Sequence, residues 1–151
     1  MPFPQEMDSH FTQAIFAAAA GPYTSFKSHL ETIFWIWLHL LQFNVSNQSL
    51  DPEEDAHNKP HRPIPSKRIS WKNARILRWT LIPICIGYSA MYSFSVSLAS
   101  IAFVIGTITY DDIGAHASHW FIRGCSNAFN LGCLEVGATL IAGQILSRHL
   151  R

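Results

Sequence analysis

Apolar residues in this chain form long stretches that charge does not interrupt, and the polar residues collect in one segment between them. From Trp79 to Tyr110 no Asp, Glu, Lys or Arg occurs. One helix over that run would extend about 48 Å at 1.5 Å per residue, well beyond the ~30 Å hydrocarbon core of a bilayer. The pattern therefore predicts two helices joined by a tight turn within "YSFSVS", residues 92–97. The first begins in the amphipathic "WKNARILRW", where Lys72, Arg75 and Arg78 recur at helical spacing and are expected to snorkel to lipid headgroups. Another run, Gly124 to Ser147, is interrupted only by Glu135 and is long enough to span once. Upstream, Thr32 to Phe43 is strongly apolar and with its flanks reaches about 17 residues, the lower limit for a span. The alanine-rich Phe11 to Pro22 is shorter and suits a truncated or interfacial helix. No strand-type alternation competes. The runs are uncharged all round, whereas a soluble core helix is apolar on one stripe. The expected fold class is all-α: a multi-span transmembrane bundle of four or five helices in a single domain, 1–151.

Composition supports this picture. Of the 151 residues 48% are hydrophobic and 14% charged, against roughly 25% charged in soluble domains. Five tryptophans, ten phenylalanines and four tyrosines are residues that favour membrane interfaces. A net charge of +1 gives no reason to expect a nucleic-acid partner. Cys85, Cys125 and Cys133 lack the close spacing of a zinc or redox motif and read as small buried hydrophobes. The N-terminal "MPFPQEMDSH" lacks a basic region ahead of an apolar one, so it is a poor secretory signal.

Seven of the eleven Lys and Arg lie between Lys59 and Arg78. The positive-inside rule places that polar loop, residues 48–72, in the cytoplasm. The sequons at Asn44 and Asn47 would then never meet the glycosylation machinery, and both read as chance matches.

The loop itself, "NQSLDPEEDAHNKPHRPIPSKRIS", carries the candidate chemistry. Asn47, Asp51 and Asp55 stand at i, i+4 and i+8. On one continuous helix they would lie within about 80° of each other. Two carboxylates and an amide suit a hard cation such as Mg²⁺. Lys59, Arg62 and Arg68 follow, and guanidinium groups pair with phosphate oxygens. Metal ligands and cations at the mouth of an apolar bundle suit a lipid diphosphate. The competing reading is local. "LDPEED" is also a helix start, with Asp51 as N-cap, Pro52 at the first helical position and Glu54 closing a capping box, and proline would break a continuous helix.

Elsewhere, Glu135 is a carboxylate inside an apolar run, a functional candidate by its cost, or a group protonated or bonded to a neighbouring helix. His39 reads as a hydrogen-bonded packing residue. Asp111, Asp112, His116 and His119 do not match a zinc spacing. They read as a polar loop at a membrane face, with Asp112 an accessory site candidate.

The same stretch resembles the first signature of the UbiA superfamily of intramembrane prenyltransferases: an N-x-x-x-D-x-x-x-D run followed by a basic R-P-x-x-S-G-R-x-S loop. "EEDAHNKPHRPIPS" is most similar to fungal members, which include membrane terpene cyclases. Asn47, Asp51, Asp55, Asn58, Lys59, Arg62, Pro63, Ser66, Arg68 and Ser70 fall in register. "TYDDIGAHASHWFIRG" resembles the end of the fourth helix of those proteins.

The resemblance implies that Asn47, Asp51 and Asp55 bind Mg²⁺, that Asp51 and Asp55 are catalytic, and that Lys59, Arg62 and Arg68 contact the diphosphate. It implies Mg²⁺-dependent ionisation of a prenyl diphosphate, for prenyl transfer or for terpene cyclisation, in an integral membrane protein.

Three departures stand out. Lys67 occupies a position where the family usually has glycine, which implies a loop that turns differently. Tyr110 is followed four residues later by Gly114, in place of the lysine of a Y-x-x-x-K motif. No second D-x-x-x-D occurs before Arg151. The resemblance thus implies about half of the family fold, either a non-catalytic remnant or a chain that does not turn over substrate alone. The partners it implies are a prenyl diphosphate, the lipid bilayer, and a second copy or a complementing C-terminal half.

Overall fold

Serine caps and one proline set the helix boundaries. The structure, a computed structural model, describes residues 26–50, 52–113 and 119–149. These form five helices and no strands: α1 (Phe26–Leu50), α2 (Pro52–Asn58), α3 (Trp71–Ala90), α4 (Phe94–Asp111) and α5 (Trp120–His149). Ser70 caps α3 by accepting from the Asn73 N–H, and Ser93 caps α4 by accepting from the Val96 N–H. Residues 91–93 make the turn between α3 and α4, at the start of the "YSFSVS" segment. The predicted helix over Phe11 to Pro22 lies outside the described residues.

Cross-helix bonds fix the helix directions. Trp71 near the start of α3 meets Ser49 near the end of α1, and Trp35 deep in α1 meets Ser89 late in α3, so these helices run antiparallel. His39 and Ser46 of α1 meet Ser100 and Asp111 of α4 in matching order, so this pair is parallel. The end of α1, the start of α3 and the end of α4 therefore share one end of the bundle, which carries the polar loop.

The core is unusual for its polarity. The main cluster contains Trp35, Ile36, Val96, Phe103, Leu134, Ala138 and Ile141. Alongside it, α1 buries Thr32, Trp35, His39, Gln42, Ser46 and Ser49. Their spacing alternates three and four, as in a helix-packing seam, yet most of these side chains are polar. Hydrogen bonds place two of the largest: Trp35 Nε1 donates to Ser89 Oγ at 2.8 Å, and His39 contacts the Trp35 carbonyl and Ser100 Oγ, each at 2.8 Å. Gly137 lets α5 close on Trp35, since a Cβ there would stand 2.3 Å from Trp35 Cη2.

The structure bears on several expectations. Thr32 to Phe43 belongs to a helix of 25 residues, longer than the apolar pattern suggested. Among the described residues only α4 is long and apolar enough to cross a membrane by length and composition. The polar seam dilutes α1, Lys72, Arg75 and Arg78 dilute α3, and Arg123, Asn127, Asn130 and Glu135 dilute α5. Arg78 does not snorkel. It is 4% exposed and pairs with Asp112 of α4. Lys72 and Arg75 are exposed, with Arg75 over the Trp71 ring at 4.8 Å. Cys85 is buried and Cys133 partly buried, but Cys125 is exposed, against the expectation of three buried cysteines.

Candidate functional site

The Asn–Asp–Asp run is not one continuous helix. α1 ends at Leu50 and α2 starts at Pro52, where proline suits a first helical position but would interrupt a longer helix. Asn47 sits on α1 and Asp55 on α2. Asp51, which lies between the two helices, is outside the described residues.

The loop after α2 folds back by backbone bonds. Lys59 N–H donates to the Asp55 carbonyl at 2.8 Å, Ser66 N–H to the Arg62 carbonyl at 2.9 Å, and Arg68 and Ile69 N–H both to the Pro63 carbonyl. Trp71 Nε1 donates to the Ser49 carbonyl at 2.9 Å and clips the neck of the segment. Lys67 has φ 60°, in the left-handed region where glycine is at ease and a Cβ costs energy. At the position where glycine is usual in the family signature, a lysine thus adopts a glycine-type conformation.

This folding brings the acidic motif and the basic loop together. Arg62 Nη1 donates to both carboxylate oxygens of Asp55, at 2.7 and 2.6 Å. Asp55 is 8% exposed, so the pair is charge-assisted and shielded on the carboxylate side. Lys59 and Arg68 are exposed on the same short loop and extend its positive surface.

Asn47 is held from the other side. Its Nδ2 donates to Asp111 Oδ1 at 3.3 Å, while Ser46 Oγ donates to Asp111 Oδ2 at 2.5 Å. Asp111 is 3% exposed. The motif therefore touches Asp111, and the accessory candidate Asp112 turns to Arg78 instead. Sequence reasoning did not single out Ser46, and it read Asp111 only as part of a polar loop. The signal available was an aspartate closing a helix whose other residues are uncharged. His119 is exposed, and His116 lies outside the described residues. Glu135 is exposed on α5, facing away from the other described helices.

Mg²⁺ takes oxygen donors and keeps several waters when protein ligands are few. Asn47 and Asp55 supply an amide and a carboxylate oxygen, so the donor chemistry fits the ion. Among the described residues no group of three or more His, Cys, Asp or Glu side chains gathers as a ready ligand set, and the Asp55 carboxylate is engaged by Arg62.

Residues 10–150 match the model of the UbiA prenyltransferase family. The chain belongs to that family. It is 32% identical over 130 residues to the fumagillin beta-trans-bergamotene synthase of Aspergillus fumigatus, covering 86% of this chain and 44% of that protein. It is 30% identical over 116 residues to a diterpene cyclase of Hericium erinaceus, covering 74% of this chain and 37% of the relative. It is 34% identical over 113 residues to the digeranylgeranylglyceryl phosphate synthase of Korarchaeum cryptofilum, covering 75% and 38%. The chain thus spans less than half the length of these curated relatives. No solved structure matches.

Proposed function

We propose that this chain forms the diphosphate-holding part of a membrane-embedded, multi-pass UbiA-type prenyltransferase, one domain over 1–151 with the 48–72 loop on the cytoplasmic side. The observation that carries this reading is the direct contact between the acidic motif and the basic loop, Asp55 with Arg62. Carboxylates that hold a cation and guanidinium groups that hold phosphate must lie side by side to grip a metal-bound diphosphate, and the Asp55–Arg62 contact supports that reading.

In this reading Arg62 shifts from Asp55 to the incoming diphosphate. That move exchanges one charge-assisted pair for another and frees the Asp55 carboxylate. Asn47, Asp51 and Asp55 would hold Mg²⁺, which supplies neutralisation of charge growing on the leaving group. Lys59 and Arg68 add donors at the rim. The allylic C–O bond breaks heterolytically and its electron pair leaves with pyrophosphate. In prenyl transfer an acceptor captures the allylic cation and then loses a proton. The polar loop lies at the end of the bundle where α1, α3 and α4 meet, so a prenyl chain lying among the helices would present its diphosphate there.

A second reading is cyclisation, in which the substrate's own double bonds capture the cation. It is favoured by the fungal relatives named as a bergamotene synthase and a diterpene cyclase.

The test is binding of farnesyl diphosphate to the chain in nanodiscs, with magnesium titrated. Asp51→Ala or Asp55→Ala should weaken magnesium-dependent binding far more than Glu53→Ala or Glu54→Ala. Equal losses from all four would reduce the segment to a merely acidic loop.

A further inference from the structure

An ionised carboxylate has no donor, so it dictates the orientation of any amide it meets. Asp111 is such a carboxylate, buried at the end of α4 and bonded to two consecutive residues of α1. Ser46 fills one oxygen. The other can be met only by the Asn47 NH₂ group, because the amide oxygen would be repelled. The Asn47 side chain is thereby fixed in one of its two flips. The planar amide then turns its Oδ1 away from that carboxylate oxygen.

We infer that Asp111 is a positioning residue of the cation site: it holds the Asn47 amide so that oxygen, and never NH₂, is offered to Mg²⁺. The inference rests on the proposed reading of Asn47 as a cation ligand. The energetic logic is that an amide free to flip would present its NH₂ hydrogens, positive and useless to a cation, part of the time. Ser46 steadies the carboxylate without touching the amide. Arg78 and Asp112 pair beside it and anchor the end of α4 to α3.

The test compares wild type, Asp111→Asn, Asn47→Asp and the double variant N47D/D111N in nanodiscs. Farnesyl diphosphate binding is measured against magnesium concentration, and thermal melts are recorded without magnesium on the same preparations. An asparagine at 111 can offer either its oxygen or its NH₂ to Asn47, so orientation is lost. The half-saturating magnesium concentration of D111N should rise about 10- to 100-fold, the cost usual for removing a group that orients a metal ligand. Swapping the two residues restores one donor facing one acceptor-only group, so the double variant should return toward the wild-type magnesium dependence. Ser46→Ala should lower the melting temperature and leave the magnesium dependence in place.

An unchanged magnesium curve for D111N, or a double variant no better than either single one, would overturn the positioning role while leaving the proposed function standing. If D111N does not fold, N47D against the double variant decides the same question. Wild-type protein that binds the diphosphate equally with and without magnesium would instead remove the proposed reading, and this inference with it.

Discussion

Replacing Gly137 by alanine adds one methyl group to a crowded contact between α5 and α1. The new Cβ would stand 2.3 Å from Trp35 Cη2, 2.8 Å from Cζ2 and 3.0 Å from Cζ3. Carbon atoms pack best at about 3.5–4.0 Å, so the nearest pair must open by more than 1 Å, roughly a third of that separation. The indole cannot easily retreat. It is fully buried, its Nε1 is bonded to Ser89, and its ring lies 4.0 Å from the His39 ring. Overpacking costs about 1–3 kcal/mol, and pulling the indole N–H from Ser89 leaves a buried donor worth about 1–3 kcal/mol. The expected destabilisation is about 2–6 kcal/mol.

Gly132 supplies the control. It lies on the same helix, and a methyl group added there would meet nothing within 4 Å. Glycine to alanine inside a helix gains up to about 1 kcal/mol. Unfolding of both variants in detergent, followed by circular dichroism, separates the two effects. Trp35→Phe combined with Gly137→Ala should cost less than the sum of the singles, because the smaller ring makes room. Equal stability of Gly137→Ala and Gly132→Ala would refute the close-packing argument.

Two further outcomes are expected. Lys67→Gly should leave stability unchanged or raise it by up to about 1 kcal/mol, since release from the left-handed region is offset by a freer unfolded chain; Lys67→Val should lower it, and thermal unfolding in which both variants fall alike would count against the backbone argument. In sealed inverted vesicles a protease added outside should cut the 48–72 loop, as a cytoplasmic loop requires; glycosylation at Asn44 or Asn47 in a eukaryotic host would reverse the assigned side.

Much of the fold was legible in the sequence because charge-free runs and helix caps are local signals. The turn after Ala90, the helix beginning at Pro52 and the hydrogen-bonded role of His39 all follow from such signals. The site was legible only in part. Spacing placed Asn47 and Asp55 in one motif, but whether they share a helix depends on Pro52, and both outcomes were written in the same six residues. Arg78 read as a headgroup anchor because its partner is 34 positions away, beyond any helical repeat. Asp111 and Asp112 are adjacent and chemically identical. Which one meets the motif is decided by the rotation of α4, and rotation is a property of packing that a single sequence does not print.

The polar seam of α1 has a consequence for assembly. Apolar packing is non-directional, so an apolar helix face chooses its register only weakly. Trp35, His39 and Ser46 make their choice by hydrogen bond, each with a different partner at a different height: Ser89, Ser100 and Asp111. Sliding α1 by one turn, about 5.4 Å, would break all three together. The seam therefore works as a key cut with three teeth, which admits one register of α1 against its neighbours. The motif at the end of α1 inherits that register, so the position of Asn47 along the bundle is written some three turns further down the same helix.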